Sequence, residues 1–246
     1  DNYFPDCIFF KNQNSFYKSL KKFEIDFVVL CVPNYLHFKF IELSLKNKCN
    51  VICEKPTVIK LFDLKKIKIL EKKYNKKCYS ILQLRYDKEL ITLQKKLKKS
   101  KKKFVGKLIY ITSRGDWYEK SWKGKEKLSG GIIYNIGIHF FDLLSWFFGN
   151  AIIGKKIQIS KKTQSGFIEF KNAKIDWMLS TDRNELPDNS IFAYRKFNIG
   201  NKKINLSKSF LDLHVESYKN ILNSNGIMIK DIYKTYKNIE IIKKSV

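Results

Sequence analysis

The sequence predicts an α/β chain: part of a doubly wound parallel sheet, followed by an α+β domain on a largely antiparallel sheet. Three observations lead there. Residues 27–32 (FVVLCV) are a continuous apolar run of the kind buried on both faces of a parallel sheet. Within the first third such runs alternate with segments of helical period. Beyond residue 103 the apolar segments shorten, alternate and are bounded by Asn and Gly, as antiparallel strands require.

Taken in order, residues 7–10 (CIFF) predict a short strand and residues 14–23 a helix. Pro33-Asn34 stops the strand at 27–32, and residues 35–46 then place Leu36, Phe40, Ile41, Leu43 and Leu45 at helical spacing. Residues 50–53 predict a second strand, 61–74 an amphipathic helix and 78–82 a third strand, which implies right-handed crossovers. A domain boundary is expected near residue 84, dividing 1–84 from 85–246. Past it come a basic helix at 89–103 and strands at 107–112, 166–171, 174–180 and 192–199. One long apolar helix is expected from Gly130-Gly131 to Gly149, and two helices, 211–222 and 228–242, close the chain.

A chain of 246 residues, 44% hydrophobic and 15% aromatic, has ample material for a core, which excludes disorder as the main state. No apolar stretch approaches the roughly 18–20 residues of a spanning helix. The opening DNYFPD has neither a basic n-region nor an apolar h-region, so no signal peptide is expected. Five cysteines (Cys7, Cys31, Cys49, Cys53, Cys78) form no CxxC pair and lie in or beside apolar runs, which predicts buried thiols in a reducing cytoplasm. No metal site is expected, because no histidine or acidic cluster accompanies Cys49 and Cys53. The net charge of +26 points first to nucleic acid. Against that reading, only four of the 49 basic residues are arginine, the residue that base readout favours, and the lysines are spread along the whole chain. Only residues 95–103 (KKLKKSKKK) are dense enough to attract a polyanion.

Parallel sheets place ligands at the carboxyl ends of their strands. Here those ends read Pro33-Asn34-Tyr35-Leu36-His37, Glu54-Lys55-Pro56 and Gln83-Leu84-Arg85. Singly each is ordinary punctuation, since a Glu-Lys pair is most often a solvated loop. Together they resemble the family of glucose-fructose oxidoreductase, inositol 2-dehydrogenase and related NAD(P)-dependent sugar dehydrogenases. A second signature, Gly-Gly before a helix carrying Asp-x-Gly-x-His, is matched by Gly130-Gly131 and Asn135-Ile136-Gly137-Ile138-His139. The segments SRGDWY (113–118), SWKG (121–124) and NIGIHFFD (135–142), with YFPD (3–6) and YSILQLR (79–85), are similar to the UDP-N-acetyl-2-amino-2-deoxyglucuronate 3-dehydrogenases of surface-polysaccharide (O-antigen) synthesis.

The resemblance implies a Rossmann-type sheet, and one departure qualifies it. The family opens with a strand, a glycine-rich phosphate turn and a helix, whereas the first glycine here is Gly106. At roughly 30 residues per βαβ unit, about 50–70 residues of the front are expected to be absent, so the sheet lacks its first strands. The chain is then a fragment or a decayed copy.

Oxidising a secondary alcohol needs a base for the hydroxyl proton and a cation near the oxygen. The catalytic expectation falls on His139 as proton acceptor and Lys55 as alkoxide stabiliser or proton relay. Asn135 stands where many relatives have Asp and offers a hydrogen bond but no base. The resemblance implies NAD, with NADP left open because the residue reading the ribose 2′ position follows a strand not present here. Cofactor contacts are expected from Pro33, Asn34, His37, Glu54, Lys55, Arg85 and Trp122. Substrate contacts are expected from Lys55, Arg114, Trp117, Tyr118, Lys123, Asn135 and His139, with Lys120 beside them, because a UDP-linked uronic acid carries a diphosphate and a carboxylate. Blander readings stand alongside: His139 as a core histidine, His37 as a cap, His214 as a structural residue, Trp117 and Trp122 as packing. A dehydrogenase of another sugar or cyclitol, or a non-catalytic remnant, are the competing functions. The resemblance further implies a homodimer or homotetramer, and reoxidation of bound NADH by 2-oxoglutarate.

Overall fold

The computed structural model describes residues 7–188, 190–206 and 210–244. The first unit holds α1 (Gln13–Ser19), β1 (Phe27–Leu30), α2 (His37–Lys46), β2 (Asn50–Cys53), α3 (Leu61–Tyr74) and β3 (Cys78–Ser80). Its three strands run parallel in the order β1-β2-β3. Because side chains alternate across a strand, Val28, Leu30, Val51, Cys53 and Cys78 enter one core with Ile41, Leu45, Leu64 and Ile67 of the crossover helices. Ile52, Tyr79 and Ile81 face the other way and meet Ile221 from near the end of the chain. Helix α3 stops at Asn75, which takes the left-handed conformation (φ 51°) that Asn tolerates.

Helix α4 (Lys88–Lys99) follows a 3-10 turn over Gln83–Tyr86. Asp87 caps it, accepting a hydrogen bond from the Leu90 N–H at 3.0 Å. Leu90, Leu93 and Leu97 are buried while Lys95, Lys96, Lys98 and Lys99 are exposed, so the lysine-rich run is the solvated face of an amphipathic helix. Asp87→Ala is expected to lower stability by about 1 kcal/mol, read as a lower urea midpoint at unchanged slope.

The second unit holds β4 (Phe104–Thr112), α5 (Asp116–Lys120), α6 (Glu126–Ser129), α7 (Gly131–Asn135), α8 (Ile138–Phe148), β5 (Ala151–Gln158), β6 (Thr163–Phe170), β7 (Ala173–Ser180), β8 (Ala193–Ile199) and β9 (Lys202–Asn205). The sheet order is β5-β6-β7-β4-β8-β9. Among the described residues only the β4–β7 pair of this sheet is parallel, so the sheet is mixed but mostly antiparallel. Helices α8 and α10 (Ile229–Lys244) cover one face, where Phe141 meets Trp177 edge-on at 5.4 Å between ring centroids. Helix α9 (Phe210–Leu222) returns toward the first sheet, and the bridge between Tyr79 and Met228 fastens this return.

Several expectations change. Residues 7–10 form no strand, and Ile8 and Phe9 are 64% and 67% exposed: among the described residues, the outer edge of β1 has no hydrogen-bonded neighbour to recruit them. The anticipated long apolar helix is two helices, its axis turning by 51° between Glu126–Asn135 and Ile138–Phe148. Gly137 sits at the break because a Cβ there would lie 2.6 Å from the Leu179 methyl and 2.7 Å from the Ile133 carbonyl. Strands β5 and β9 were not anticipated. The motif at residues 3–6 lies outside the described residues.

Candidate active site

The strand tips of the first sheet and the loop from β4 to α8 close on each other. At the tip of β1, Pro33 opens a 3-10 turn over Asn34–Leu36. The Asn34 amide donates to the Ser129 carbonyl at 2.8 Å, tying that tip to the corner where α6 turns into α7. The corner needs glycine: Gly130 has φ +83°, and a Cβ on it would lie 2.7 Å from Tyr134. His37 is fully buried behind the tip, with Nδ1 and Nε2 each 2.8 Å from a carbonyl oxygen, of Pro56 and Val32 respectively. Burial pulls its pKa down. These contacts make it a brace between two strand tips.

After β2 the chain enters Glu54-Lys55 and a cis Lys55-Pro56 bond. The Glu54 carboxylate faces the His214 ring of α9, Oε1 to Nε2 3.6 Å. The Lys55 ammonium turns the other way, into the second unit, and donates to the Asn135 carbonyl at 3.0 Å. The Asn135 amide donates to the Tyr118 hydroxyl at 2.7 Å and reaches the Lys123 carbonyl at 3.4 Å. Lys123 lies over the rings of Trp117 and Trp122, at 5.2 and 5.7 Å.

Lys55, Arg114 and His139 line one cavity of about 170 Å³ with Tyr110, Ile136, Phe140 and Arg195. Burial draws the Lys55 ammonium down from 10.5 to about 8; Glu54 opposes the shift, and Arg114, Lys123 and Arg195 reinforce it. Burial, then the charges of Lys55, Arg195 and His214, hold His139 well below the usual histidine range, so its imidazole is neutral. The cavity therefore pairs an amine that titrates close to neutrality with an uncharged imidazole, under a positive field. Such a pair suits proton transfer at an alcohol.

Arg85 takes another place. Its guanidinium forks onto Asp142, Nε to Oδ2 2.8 Å and Nη2 to Oδ1 2.6 Å, and donates to the Asp231 carbonyl at 3.0 Å. The structure places this arginine as a buried pin between the turn after β3, α8 and α10, with its guanidinium engaged by Asp142. Lys120 is exposed and does not line the cavity. Arg195 and Tyr110 escaped the sequence reading because both sit inside strands, paired across β4 and β8. The scarcity of arginine was the available signal.

The Glu54 carboxylate stays partly exposed (29%) at the tip of β2, a hydrogen-bond acceptor of the kind a ribose hydroxyl needs. No glycine-rich turn for the pyrophosphate exists within residues 7–105. The residues present thus fit the nicotinamide half of a dinucleotide.

Parallel strand tips facing a Lys–His cavity in a second α/β unit define a dinucleotide-dependent oxidoreductase fold. The chain belongs to the GFO/IDH/MocA oxidoreductase family: the model of its NAD-binding Rossmann fold matches residues 6–81, and that of its C-terminal alpha/beta domain matches residues 102–194. The WlbA (WbpB) dehydrogenase from Thermus thermophilus, solved with NAD and UDP-GlcNAcA, is 32% identical, with a TM-score of 0.91 over 97% of this chain and 80% of that one. The structure of the same dehydrogenase with NAD and alpha-ketoglutarate gives 0.92 at the same identity and coverage. The uncharacterized oxidoreductase YhhX of Escherichia coli (strain K12) is 26% identical over 127 residues, 51% of this chain and 36% of that protein. The matched stretch thus spans about a third of the length of that curated relative.

Proposed function

We propose that the chain carries the catalytic part of an NAD-dependent dehydrogenase that oxidises the C3 hydroxyl of a UDP-N-acetyl-glucosaminuronic acid to the 3-keto sugar. The placement is cytoplasmic, in surface-polysaccharide (O-antigen) synthesis. The observation that carries the reading is the meeting of Lys55, from a parallel-strand tip, with His139 and Arg114 of the second unit in one cavity. The 32% identity to a dehydrogenase solved with NAD and UDP-GlcNAcA supports it.

When bound, the nicotinamide ring supplies the hydride acceptor. The chain's own residues manage the proton and the charge. The neutral fraction of Lys55 takes the hydroxyl proton, and its bond to the Asn135 carbonyl aims the amine. The neutral His139 orients the same hydroxyl. Arg114 and Lys123 answer the anionic groups of the substrate, Trp117 and Tyr118 flank the part of it that lies outside the cavity, and Glu54 accepts from the nicotinamide ribose. Trp122, Pro33 and Asn34 shape the cofactor side.

A homodimer or homotetramer belongs to the same proposal. The sheet face opposite α8 and α10 exposes Val105 (70%) and leaves Phe167 and Met178 half-buried. The alternative is a non-catalytic chain that binds the sugar nucleotide and reduces no NAD.

Calorimetry with NAD and with UDP-N-acetylglucosaminuronate, joined to absorbance of the reduced nicotinamide, separates the two readings. Binding of both ligands with reduction of NAD is the expected result; binding of the sugar nucleotide alone sinks the dehydrogenase reading. Arg114→Ala and Lys123→Ala are each expected to weaken sugar-nucleotide binding about tenfold or more, the size of a charge-assisted contact. Unchanged affinity removes them from the substrate site.

A further inference from the structure

The cavity that holds Lys55 and His139 is more selective in its charge than a sugar hydroxyl requires. Every ionisable group lining it, apart from the neutral His139 and the Tyr110 phenol, is a cation: Lys55, Arg114 and Arg195. Among the described residues no carboxylate lines it. Arginine is also scarce: four residues out of 49 basic ones. Two of those four meet in this one cavity, and a third forms the two-pronged buried contact with Asp142. Lysine serves as a point charge elsewhere in this chain, so arginine stands where a planar fork must meet a planar acceptor.

Both forks are held by their surroundings. Arg195 pairs with Tyr110 across β8 and β4, and its guanidinium lies over the Tyr110 ring, 5.0 Å from the centroid, with Nη2 3.5 Å from the phenol oxygen. Arg114 follows β4 directly, its backbone N–H bonded to the Thr181 carbonyl at 3.3 Å. The Arg114 Nε is buried and has no hydrogen-bond partner among the described residues. Gathering three cations in one small space is unfavourable: burial is the main cause that draws the Lys55 ammonium down, and Arg114 and Arg195 add to it against the pull of Glu54. Binding an anion there reverses that cost.

We propose that Arg114 and Arg195 form a carboxylate fork that makes a sugar acid, rather than a neutral sugar, the substrate of this cavity. The inference rests on the dehydrogenase reading and deepens it by naming the specificity-determining residues. At about 170 Å³ the cavity is smaller than the roughly 300–1,000 Å³ of pockets for drug-sized ligands. It takes the reacting ring alone, so the nucleotide lies outside and its diphosphate falls to other groups. The division of labour follows: the arginines hold the acid, which presents a ring hydroxyl to Lys55 and His139.

The test compares two sugar nucleotides that differ only in this group, UDP-N-acetylglucosaminuronate and UDP-N-acetylglucosamine, titrated calorimetrically into the protein with NAD present. The wild-type chain is expected to prefer the acid by about 10- to 100-fold, the worth of a charge-assisted fork. Arg195→Met and Arg114→Met are each expected to bring that ratio close to one. Arg195→Lys keeps the charge but loses the fork, and is expected to restore only part of the preference. Thermal melts establish that each variant is folded.

A wild-type ratio near one, with NAD-linked oxidation of both compounds, overturns the fork while leaving the dehydrogenase reading in place. A strong preference for the acid that Arg195→Met and Arg114→Met both retain overturns it as well, as does a wild-type chain that binds neither compound. A preference that vanishes in the variants, in a protein that reduces no NAD, upholds the fork and ends the dehydrogenase reading.

Discussion

Lys55→Met lowers turnover by about 10²- to 10⁴-fold, the span a positioned general base contributes, while NAD binding falls far less. What decides is which of the two candidate bases can hold a proton. Burial, reinforced by the charges of Lys55, Arg195 and His214, holds the His139 pKa well below the ordinary value; it is uncharged at neutral pH and a weak acceptor. Lys55 has been drawn down to about 8, so its neutral amine is populated near neutrality and its conjugate acid is stable enough to keep the proton. The rate should therefore climb with pH, about tenfold per unit below pH 8, and level off above it. Were His139 the base, the climb would end well below pH 6.5 and the rate would be flat through neutrality. Initial rates measured across this range in wild type and in Lys55→Met decide between them. The limb near 8 should vanish with Lys55.

The same shift carries a stability signature with a definite sign. Between about 8 and 10.5 the unfolded chain keeps the Lys55 proton and the folded chain does not, so this residue makes stability rise with pH through that window. Lys55→Met should flatten that part of the urea-midpoint profile.

What the sequence made legible follows the strength of local signals. The strands β1 and β2 could be read because FVVL and NVIC are apolar runs cut off by Pro33-Asn34 and Glu54-Lys55-Pro56. Those same stops are the strand tips, so Lys55 was readable as soon as the sheet was. His139 was readable through the Gly130-Gly131 corner, where positive φ at both residues leaves glycine as the natural occupant. By contrast, β5 (AIIGKKIQ) is an edge strand with Ile152, Ile153 and Ile157 all exposed, so burial imposes no alternation on it. β9 (KKIN) is a short edge strand with one buried residue. The break in the apolar helix is set by Leu179 of β7 pressing on Gly137, a contact between distant parts of the chain. Arg195 was hidden for a like reason, since only the register of β8 against β4 brings it to Tyr110 and into the cavity. The pairing of Arg85 with Asp142 of α8 was hidden as well, since the two are 57 residues apart in the chain.

Arg85→Met is expected to cost about 3–5 kcal/mol, several times the loss of a helix cap such as Asp87. The pair it breaks is buried, with 11% of the Arg85 and 2% of the Asp142 side chain exposed. Removing the guanidinium strands the carboxylate away from water, with the Thr235 hydroxyl at 2.8 Å still donating to it. The Asp231 carbonyl also loses the bond that Arg85 donates. Arg85→Met with Asp142→Leu should recover much of the loss, because an apolar pair carries no uncompensated charge. The recovery stays incomplete, since Thr235 and the Asp231 carbonyl keep their unmet groups. Urea titration at constant slope reads both effects. A single variant as stable as wild type would mean that water reaches Asp142 and that the pin is weak. The consequence reaches the active site, because Asp142 lies one helical turn beyond His139 on α8. Loosening the pin lets α8 shift against the tip of β3, so the single variant should also bind the sugar nucleotide less tightly, and the double variant should regain affinity along with stability.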